Sequence, residues 1–225
     1  MKQRNSGLTL VFAIAIACPI GARANTFTYF ISGEATATVT TGANSISVTL
    51  TDLYVDPNSV GLNLSGLEFT TGVTPSSATV SSSSADSVRV ASGGSYTNNG
   101  TVSPGWAIAL TGAVTKLDDL ATGGAGPAYT IIGAPGSGGQ YDAANGSIAR
   151  NRPHNPFLYE IATWTLSEAG VTSATSISNV LFQFGTTDNS FTAATGGGIV
   201  GTPEPGTAGI LVLGGAVLVL SLIHI

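Results

Sequence analysis

Residues 34–50 read EATATVTTGANSISVTL, and the alternation of their side chains decides the fold class. From Glu34 to Thr41, small apolar residues alternate with threonine, and Ile46, Val48 and Leu50 then share one face of a second run. A period of two is typical of β-strands that are buried on one face. The Gly-Ala-Asn tract at 42–44 favours a tight turn between the runs, so the segment predicts a β-hairpin.

The same alternation returns in three later runs, separated by clusters of Gly, Asn, Ser and Pro. Several short strands with frequent turn signals predict an all-β domain, a single β-sandwich-like ectodomain over residues 25–195. The residues that this prediction places on shared faces are Trp106, Ile108 and Leu110, then Phe157, Tyr159 and Ile161, then Val180, Phe182 and Phe184.

Three segments depart from this pattern. Asp56 as an N-cap, Pro57 at the first helical position and Gly66 after the end predict one short helix at about 57–65. The alternative is a pair of strands, because Leu62 and Leu64 also alternate with polar residues. Residues 74–87 and 122–147, poor in large apolar side chains or rich in glycine, are predicted to be long loops.

The N-terminus has the features of a signal peptide. Lys2 and Arg4 precede ten apolar residues, LTLVFAIAIA at 8–17, a run too short to span a bilayer. Small residues at Ala22 and Ala24 predict cleavage after Ala24, so that residues 1–24 are removed and Asn25 becomes the N-terminus. A less favoured alternative makes Cys18 the lipid-modified first residue of a lipoprotein.

Charge and cysteine content exclude several classes of function. Only 8% of the residues are charged, and between residues 25 and 202 eleven acidic residues oppose four basic ones, for a net charge of −7. No basic stripe is present, which argues against a nucleic-acid partner. Cys18, the only cysteine, would leave with the signal peptide, so the exported chain would have no disulfide, no cysteine zinc site and no cysteine nucleophile.

A search for catalytic and metal-binding motifs assigns no catalytic, cofactor-binding or metal-ligating residue. His154 is the only histidine between residues 25 and 202 and no Gly-x-Ser-x-Gly motif accompanies it, so we expect it to form loop hydrogen bonds. The pairs Asp118–Asp119 and Asp52–Asp56 lack the dense spacing of a calcium loop, and we interpret them as solvated turn residues. No cofactor is implied.

The aromatic residues allow two readings. Trp106 and Trp164, with Phe157 and Tyr159, form either a sugar-stacking platform or part of the core. Aromatic residues that alternate along strands belong to the core more often than to a binding surface. Trp106 and Trp164 are therefore kept only as candidate glycan-stacking residues.

The last 24 residues, TPEPGTAGILVLGGAVLVLSLIHI at 202–225, combine a short motif with a long apolar run. Pro203, Glu204 and Pro205 follow a Gly-rich linker at 196–201. From residue 208 about 18 residues without formal charge are long enough for a transmembrane helix of roughly 27 Å. This arrangement closely resembles the C-terminal sorting signal of PEP-CTERM proteins, the exosortase-dependent surface proteins of Gram-negative bacteria. The basic end of that signal is missing here, which indicates a truncated or misread end or else weak sorting, and we favour truncation.

The resemblance implies export through the inner membrane, transient anchoring by the C-terminal helix, processing by an exosortase, and a final location at the cell surface or in the extracellular matrix with exopolysaccharide. Residues 45–70, 146–166 and 177–186 also resemble segments of such proteins. The resemblance implies no catalytic activity. The alternatives are a surface-anchored carbohydrate-binding module and, less favoured, a secreted polysaccharide hydrolase acting through two carboxylates.

Overall fold

The structure, a computed structural model, describes residues 24–120, 124, 126–188 and 190–199, and within them it is all-β, as the sequence predicts. Thirteen strands and one turn of 3-10 helix (Val60–Leu62) are present in the described residues. The strands are β1 (Asn25–Ile31), β2 (Ala35–Gly42), β3 (Ser45–Asp52), β4 (Leu64–Thr71), β5 (Ala78–Val90), β6 (Tyr96–Val102), β7 (Ala107–Thr111), β8 (Val114–Asp118), β9 (Ile131–Ile132), β10 (Phe157–Glu168), β11 (Ile177–Phe184), β12 (Phe191–Ala193) and β13 (Thr195–Ile199).

The strands form one mixed sheet with the order β12-β11-β4-β9-β10-β3-β2-β1-β13. Two branches leave this path, because β10 also pairs with β5, which pairs with β6, and β4 also pairs with β8, which pairs with β7. All of these pairs are antiparallel except β9 with β10, which is parallel. The predicted hairpin is present as β2 and β3, with Asn44 at φ 50° in its turn.

One apolar cluster contains the inward side chains from both halves of this path. Val39, Val48 and Leu50 from β2 and β3 belong to the same buried cluster as Phe69 of β4 and Phe182 of β11. The hydroxyl group of Tyr29 donates a hydrogen bond of 2.5 Å to the carbonyl oxygen of Ile177, which joins β1 to β11. The alternation in the sequence therefore marks the buried face correctly.

A second, smaller apolar cluster lies beneath the long segment between β9 and β10. Val88 and Val90 of β5 pack there with Tyr141, Ile148 and Phe157, all of them at most 1% exposed. This cluster holds residues 133–156 against the end of β5, and these residues form one side of the candidate site described below.

The helix predicted at 57–65 is wrong except for the single 3-10 turn at Val60–Leu62. Asp56 does not cap a helix, because its backbone is left-handed (φ 51°) and its carboxylate accepts the backbone N–H of Ala143. Gly66, expected just beyond the helix, lies in β4, where a Cβ atom would come within 2.9 Å of the Gln183 side chain. Pairing of β4 with β8 and β11 outweighs the local helix signals.

Two further predictions about strands are wrong. Residues 78–87, predicted to be part of a loop, belong to β5, whose backbone pairs with β10 on one side and β6 on the other although this stretch is rich in serine. Ile161, predicted to share a face with Phe157, is 48% exposed. A bulge at Glu160 (φ 57°) shifts the register of β10, so the buried positions after it are Ala162, Trp164 and Leu166.

Most of the region predicted as the linker at 196–201 belongs to the domain, since residues 195–199 form β13. This strand pairs with β1, and Phe27 lies opposite Ile199. Positions 196 and 197 have positive φ angles, which favour glycine. At Gly196, a Cβ atom would also come within 2.8 Å of the Thr28 carbonyl oxygen.

The remaining predictions for the two ends fall on residues that the structure does not describe. These include the signal peptide up to residue 23, with Ala22, and the sorting signal, with Pro203, Glu204 and Pro205. Ala24 is described and lies just before β1. Within the described part of the chain, no helix has the length and apolar character that a membrane crossing requires.

Candidate functional site

The two tryptophans lie inside the domain. Trp106 is 4% exposed and Trp164 is 2% exposed, and their ring centroids are 4.6 Å apart. The Trp106 Nε1 group donates a 2.9 Å hydrogen bond to the carbonyl oxygen of Tyr129. The prediction of a glycan-stacking platform is therefore wrong, because neither ring has a face open to a sugar, and the alternative reading as core residues is confirmed.

Phe157 and Tyr159 do not join the tryptophans. Phe157 is fully buried in the smaller apolar cluster, whereas the tryptophans belong to the larger one. Tyr159 stacks on Tyr96 with 5.6 Å between the ring centroids. The bulge in β10 separates Phe157 and Tyr159 from the tryptophans. The sequence carries no signal for this bulge, so the prediction grouped the four residues together.

Asp52 is a buried carboxyl group that joins two strands. Its two oxygens accept backbone N–H groups of Tyr54 at 3.0 Å and Leu64 at 3.3 Å. Burial raises the pKa of Asp52 well above its ordinary value, and these two hydrogen bonds lower it only in part. Asp56 accepts its hydrogen bonds from Ala143 instead, so the expected pair of solvated turn residues is not what the structure contains.

Asp118 and Asp119 are also buried, so the prediction that they are solvated turn residues is wrong. Lys116 lies 2.6 Å from Asp118 and 2.5 Å from the exposed Asp188. The Asp119 carboxylate receives no hydrogen bond in the described structure, and burial with the neighbouring charge of Asp118 raises its pKa to about 8. In the described residues, no group of three or more histidine, cysteine or acidic side chains is placed to hold a metal ion.

Three of the four basic residues between positions 25 and 202 meet at one surface pocket. The pocket has a volume of about 390 Å³ and lies where the end of β5 meets the segment before β10. We call it the arginine pocket, and its lining residues are Arg89, Val90, Ala91, Ser92, Arg150, Arg152 and Asn155.

Backbone and amide hydrogen bonds fix the walls of the arginine pocket to each other. The Val90 N–H group donates to Asn155 Oδ1 at 2.9 Å, and the Val90 carbonyl oxygen accepts the Arg150 N–H group at 3.1 Å. The Asn155 side chain, 6% exposed, also donates to the Ile148 carbonyl oxygen at 2.8 Å. One residue of β5 thus holds both ends of the segment that carries Arg150 and Arg152.

The turn that carries Ser92 is held closely too. Gly94 has φ +83°, and a Cβ atom there would lie 2.5 Å from the Tyr141 carbonyl oxygen. The Tyr141 N–H group donates to the Gly94 carbonyl oxygen at 2.9 Å. The Nδ1–H group of His154 donates a hydrogen bond to the Ser147 carbonyl oxygen at 2.8 Å, which confirms the predicted loop hydrogen bond. The pocket is therefore built on ordered backbone.

The three arginine side chains are exposed, and none of them forms a salt bridge with an acidic residue in the part of the chain that the structure describes. Guanidinium groups remain charged at any physiological pH and donate hydrogen bonds in a planar fork. The arrangement is therefore suited to binding an anion. Sequence reasoning missed this site, although the spacing Arg-x-Arg at 150–152 was a visible signal.

Comparisons with protein-family models, with curated proteins and with solved structures each found no match.

Proposed function

We propose that this chain is an exported, exosortase-sorted protein of the cell surface or extracellular matrix. Its ectodomain is non-catalytic, of the β-sandwich type, and associates with exopolysaccharide. The observation that carries the proposal is the combination of Pro203, Glu204 and Pro205 with about 18 following apolar residues, placed directly after a folded β domain. The domain passes the inner membrane, stays anchored by the C-terminal helix, and reaches the surface after processing.

The positions of the two ends of the domain support this proposal. Strand β1 begins at Asn25, the residue that follows the proposed cleavage site after Ala24. Strand β13 ends at Ile199, and Ile199 lies opposite Phe27 across the β1–β13 pair. The chain therefore enters and leaves the domain at the same corner, so removing residues 1–24 or the residues after 201 leaves strands β1 to β13 whole.

The exposed surface of strands β5 and β6 is rich in neutral polar side chains, which supports the proposal. Strands β5 and β6 expose hydroxyl and amide side chains, including Ser81, Ser82, Thr97 and Asn98. Such groups exchange hydrogen bonds readily with water and with neutral sugars, and they carry no charge that salt can screen.

A carbohydrate-binding module remains the second candidate, and the arginine pocket is what favours it, since the tryptophans are buried. No observation favours the hydrolase. The acidic groups whose pKa values burial raises, Asp52, Asp119 and Glu168, lie in the interior, and none of them lines the arginine pocket.

The sorting signal is tested by expressing three versions of the chain in a host that has an exosortase: the native chain, Glu204→Ala, and the native chain with two or three arginines appended after Ile225. We expect the native chain to be processed and Glu204→Ala to stay at full length in the inner membrane. The appended arginines should improve processing, because positive charge holds a helix end on the cytoplasmic side.

Membrane fractionation and intact-mass analysis measure the outcome. Asp188→Ala, which removes an acidic residue in the folded domain, serves as the control and should be processed like the native chain. If all versions behave alike, the tail is a plain membrane anchor and the sorting proposal is wrong.

A further inference from the structure

The arginine pocket concentrates positive charge in a domain that has very little of it. Residues 25–202 contain four basic residues against eleven acidic ones, yet Arg89, Arg150 and Arg152 share one pocket. A salt bridge to an acidic residue would occupy N–H donors of these guanidinium groups. No such salt bridge accompanies these arginines in the described residues. The donors of the three guanidinium groups are therefore available to an anionic ligand.

We propose that the arginine pocket binds the carboxylate groups of an acidic polysaccharide, that is, a saccharide containing uronate residues. This inference rests on the proposed function in one respect: the protein must reach the extracellular matrix to meet such a saccharide. It goes further because it names the chemistry that is recognised and the residues that recognise it.

The geometry of the arginine side chain suits the two oxygens of a carboxylate. A guanidinium group presents parallel N–H donors that match the two oxygens of a planar carboxylate, and such bidentate pairs are stronger than hydrogen bonds between neutral groups. Lysine provides a point charge without that planar match. All three basic residues of the pocket are arginine, whereas Lys116, the one lysine in residues 25–202, lies elsewhere.

The size and the lining of the pocket favour a saccharide over a bare ion. Its volume of about 390 Å³ lies within the ~300–1,000 Å³ that is usual for small-molecule sites. Ser92 adds a hydroxyl group, and Val90 and Ala91 add apolar surface, so sugar hydroxyls and ring carbons find partners beside the guanidinium groups. Asn155 is not available to the ligand, because its amide already holds the two walls together.

The negative charge of the domain does not prevent an acidic polymer from approaching. Burial raises the pKa of Asp119 to about 8, so this carboxyl group is mostly protonated at neutral pH and the formal charge of −7 is not fully expressed. Glu168 is likewise fully buried in the core. These acidic residues lie inside the fold, whereas the arginines lie at its surface.

The test is isothermal titration calorimetry on the full-length chain purified in detergent, with an oligouronate, the same oligosaccharide after reduction of its carboxyl groups, and inorganic phosphate. We expect the oligouronate to bind, with an affinity that falls as salt rises. Arg89→Gln and Arg152→Gln should each weaken binding roughly tenfold or more, because each removes a charged hydrogen-bond donor. Arg152→Lys, which keeps the charge, should still weaken binding several-fold.

Lys116→Gln is the matched control, because it removes the remaining basic side chain of residues 25–202 from outside the pocket, and it should leave the affinity unchanged. Melting temperatures establish that each variant is folded. The proposal is overturned if the reduced oligosaccharide binds equally well, if phosphate alone binds as tightly, or if Lys116→Gln weakens binding as much as Arg152→Gln. Because binding is measured on purified protein, it can succeed or fail independently of sorting.

Discussion

The tryptophan pair and the arginine pocket differ in the two properties that separate a structural group from a binding group. The tryptophans are almost fully buried in the larger apolar cluster, and Trp106 has its hydrogen-bond acceptor within the protein. The arginines are exposed and have no acidic partner in the described residues. By residue type alone, the tryptophans would be the better candidates for a glycan site. The arginines are the better candidates because they are exposed and form no salt bridge within the described residues. The comparison predicts that changing the first region damages stability and changing the second damages binding.

The largest effect is expected from removing a tryptophan ring. Trp164→Ala deletes a side chain that is 2% exposed, and such changes in a core cost ~3–5 kcal/mol of unfolding free energy. Chemical denaturation monitored by circular dichroism measures the loss. A cost below ~1 kcal/mol, the size usual for surface substitutions, would show that Trp164 is not a core residue.

A matched pair of variants sharpens this prediction. Trp164 Nε1 has no hydrogen-bond acceptor among the described residues, whereas Trp106 Nε1 donates to the Tyr129 carbonyl oxygen. Trp106→Phe should therefore cost ~1–3 kcal/mol more than Trp164→Phe, because it leaves a carbonyl oxygen without its donor. Equal costs would contradict the assigned hydrogen bond.

An effect that depends on pH is expected at Asp119. Burial raises the pKa of Asp119 to about 8, while the unfolded chain has the ordinary value of about 4. Between these two pH values the folded state holds a proton that the unfolded state has released, so stability falls as pH rises from about 4 to about 8. Asp119→Asn removes the contribution of Asp119 to this fall, and the variant should be the more stable protein at pH 8.

Denaturation at several pH values measures both slopes. Asp142→Asn removes an exposed acidic residue and is the control, which should keep the wild-type slope. If Asp119→Asn shows the same fall in stability as the wild type, the carboxyl group of Asp119 is charged in the folded state and the account of its burial is wrong.

Local alternation predicted the buried faces of the hairpin well, because a strand that is buried on one side leaves its period in the sequence. Ile46, Val48 and Leu50 are each at most 1% exposed. The three runs of the all-β prediction all lie in or next to strands, and the hairpin turn falls between β2 and β3.

The features that were missed depend on contacts between distant segments. Strand β5 has little apolar character of its own and is a strand because β10 and β6 pair with it. The bulge at Glu160 shifts the alternation in β10, so that the residues after it point to the opposite faces from those that the pattern before it predicts. The arginine pocket forms only because Val90 binds residues that follow it by about 60 positions, Arg150 and Asn155. No local pattern records these three contacts.

The most direct test of the claim that the arginines serve binding and not folding is the affinity of Arg150→Asn for the oligouronate. Arg150 has a left-handed backbone with φ 64°, a conformation that asparagine adopts more readily than most residues. The variant should therefore keep or slightly raise the melting temperature, with a change in stability within ~1 kcal/mol. The account predicts that this fully folded variant binds the oligouronate roughly tenfold or more weakly than the wild type. Wild-type affinity in a variant of unchanged stability would contradict it.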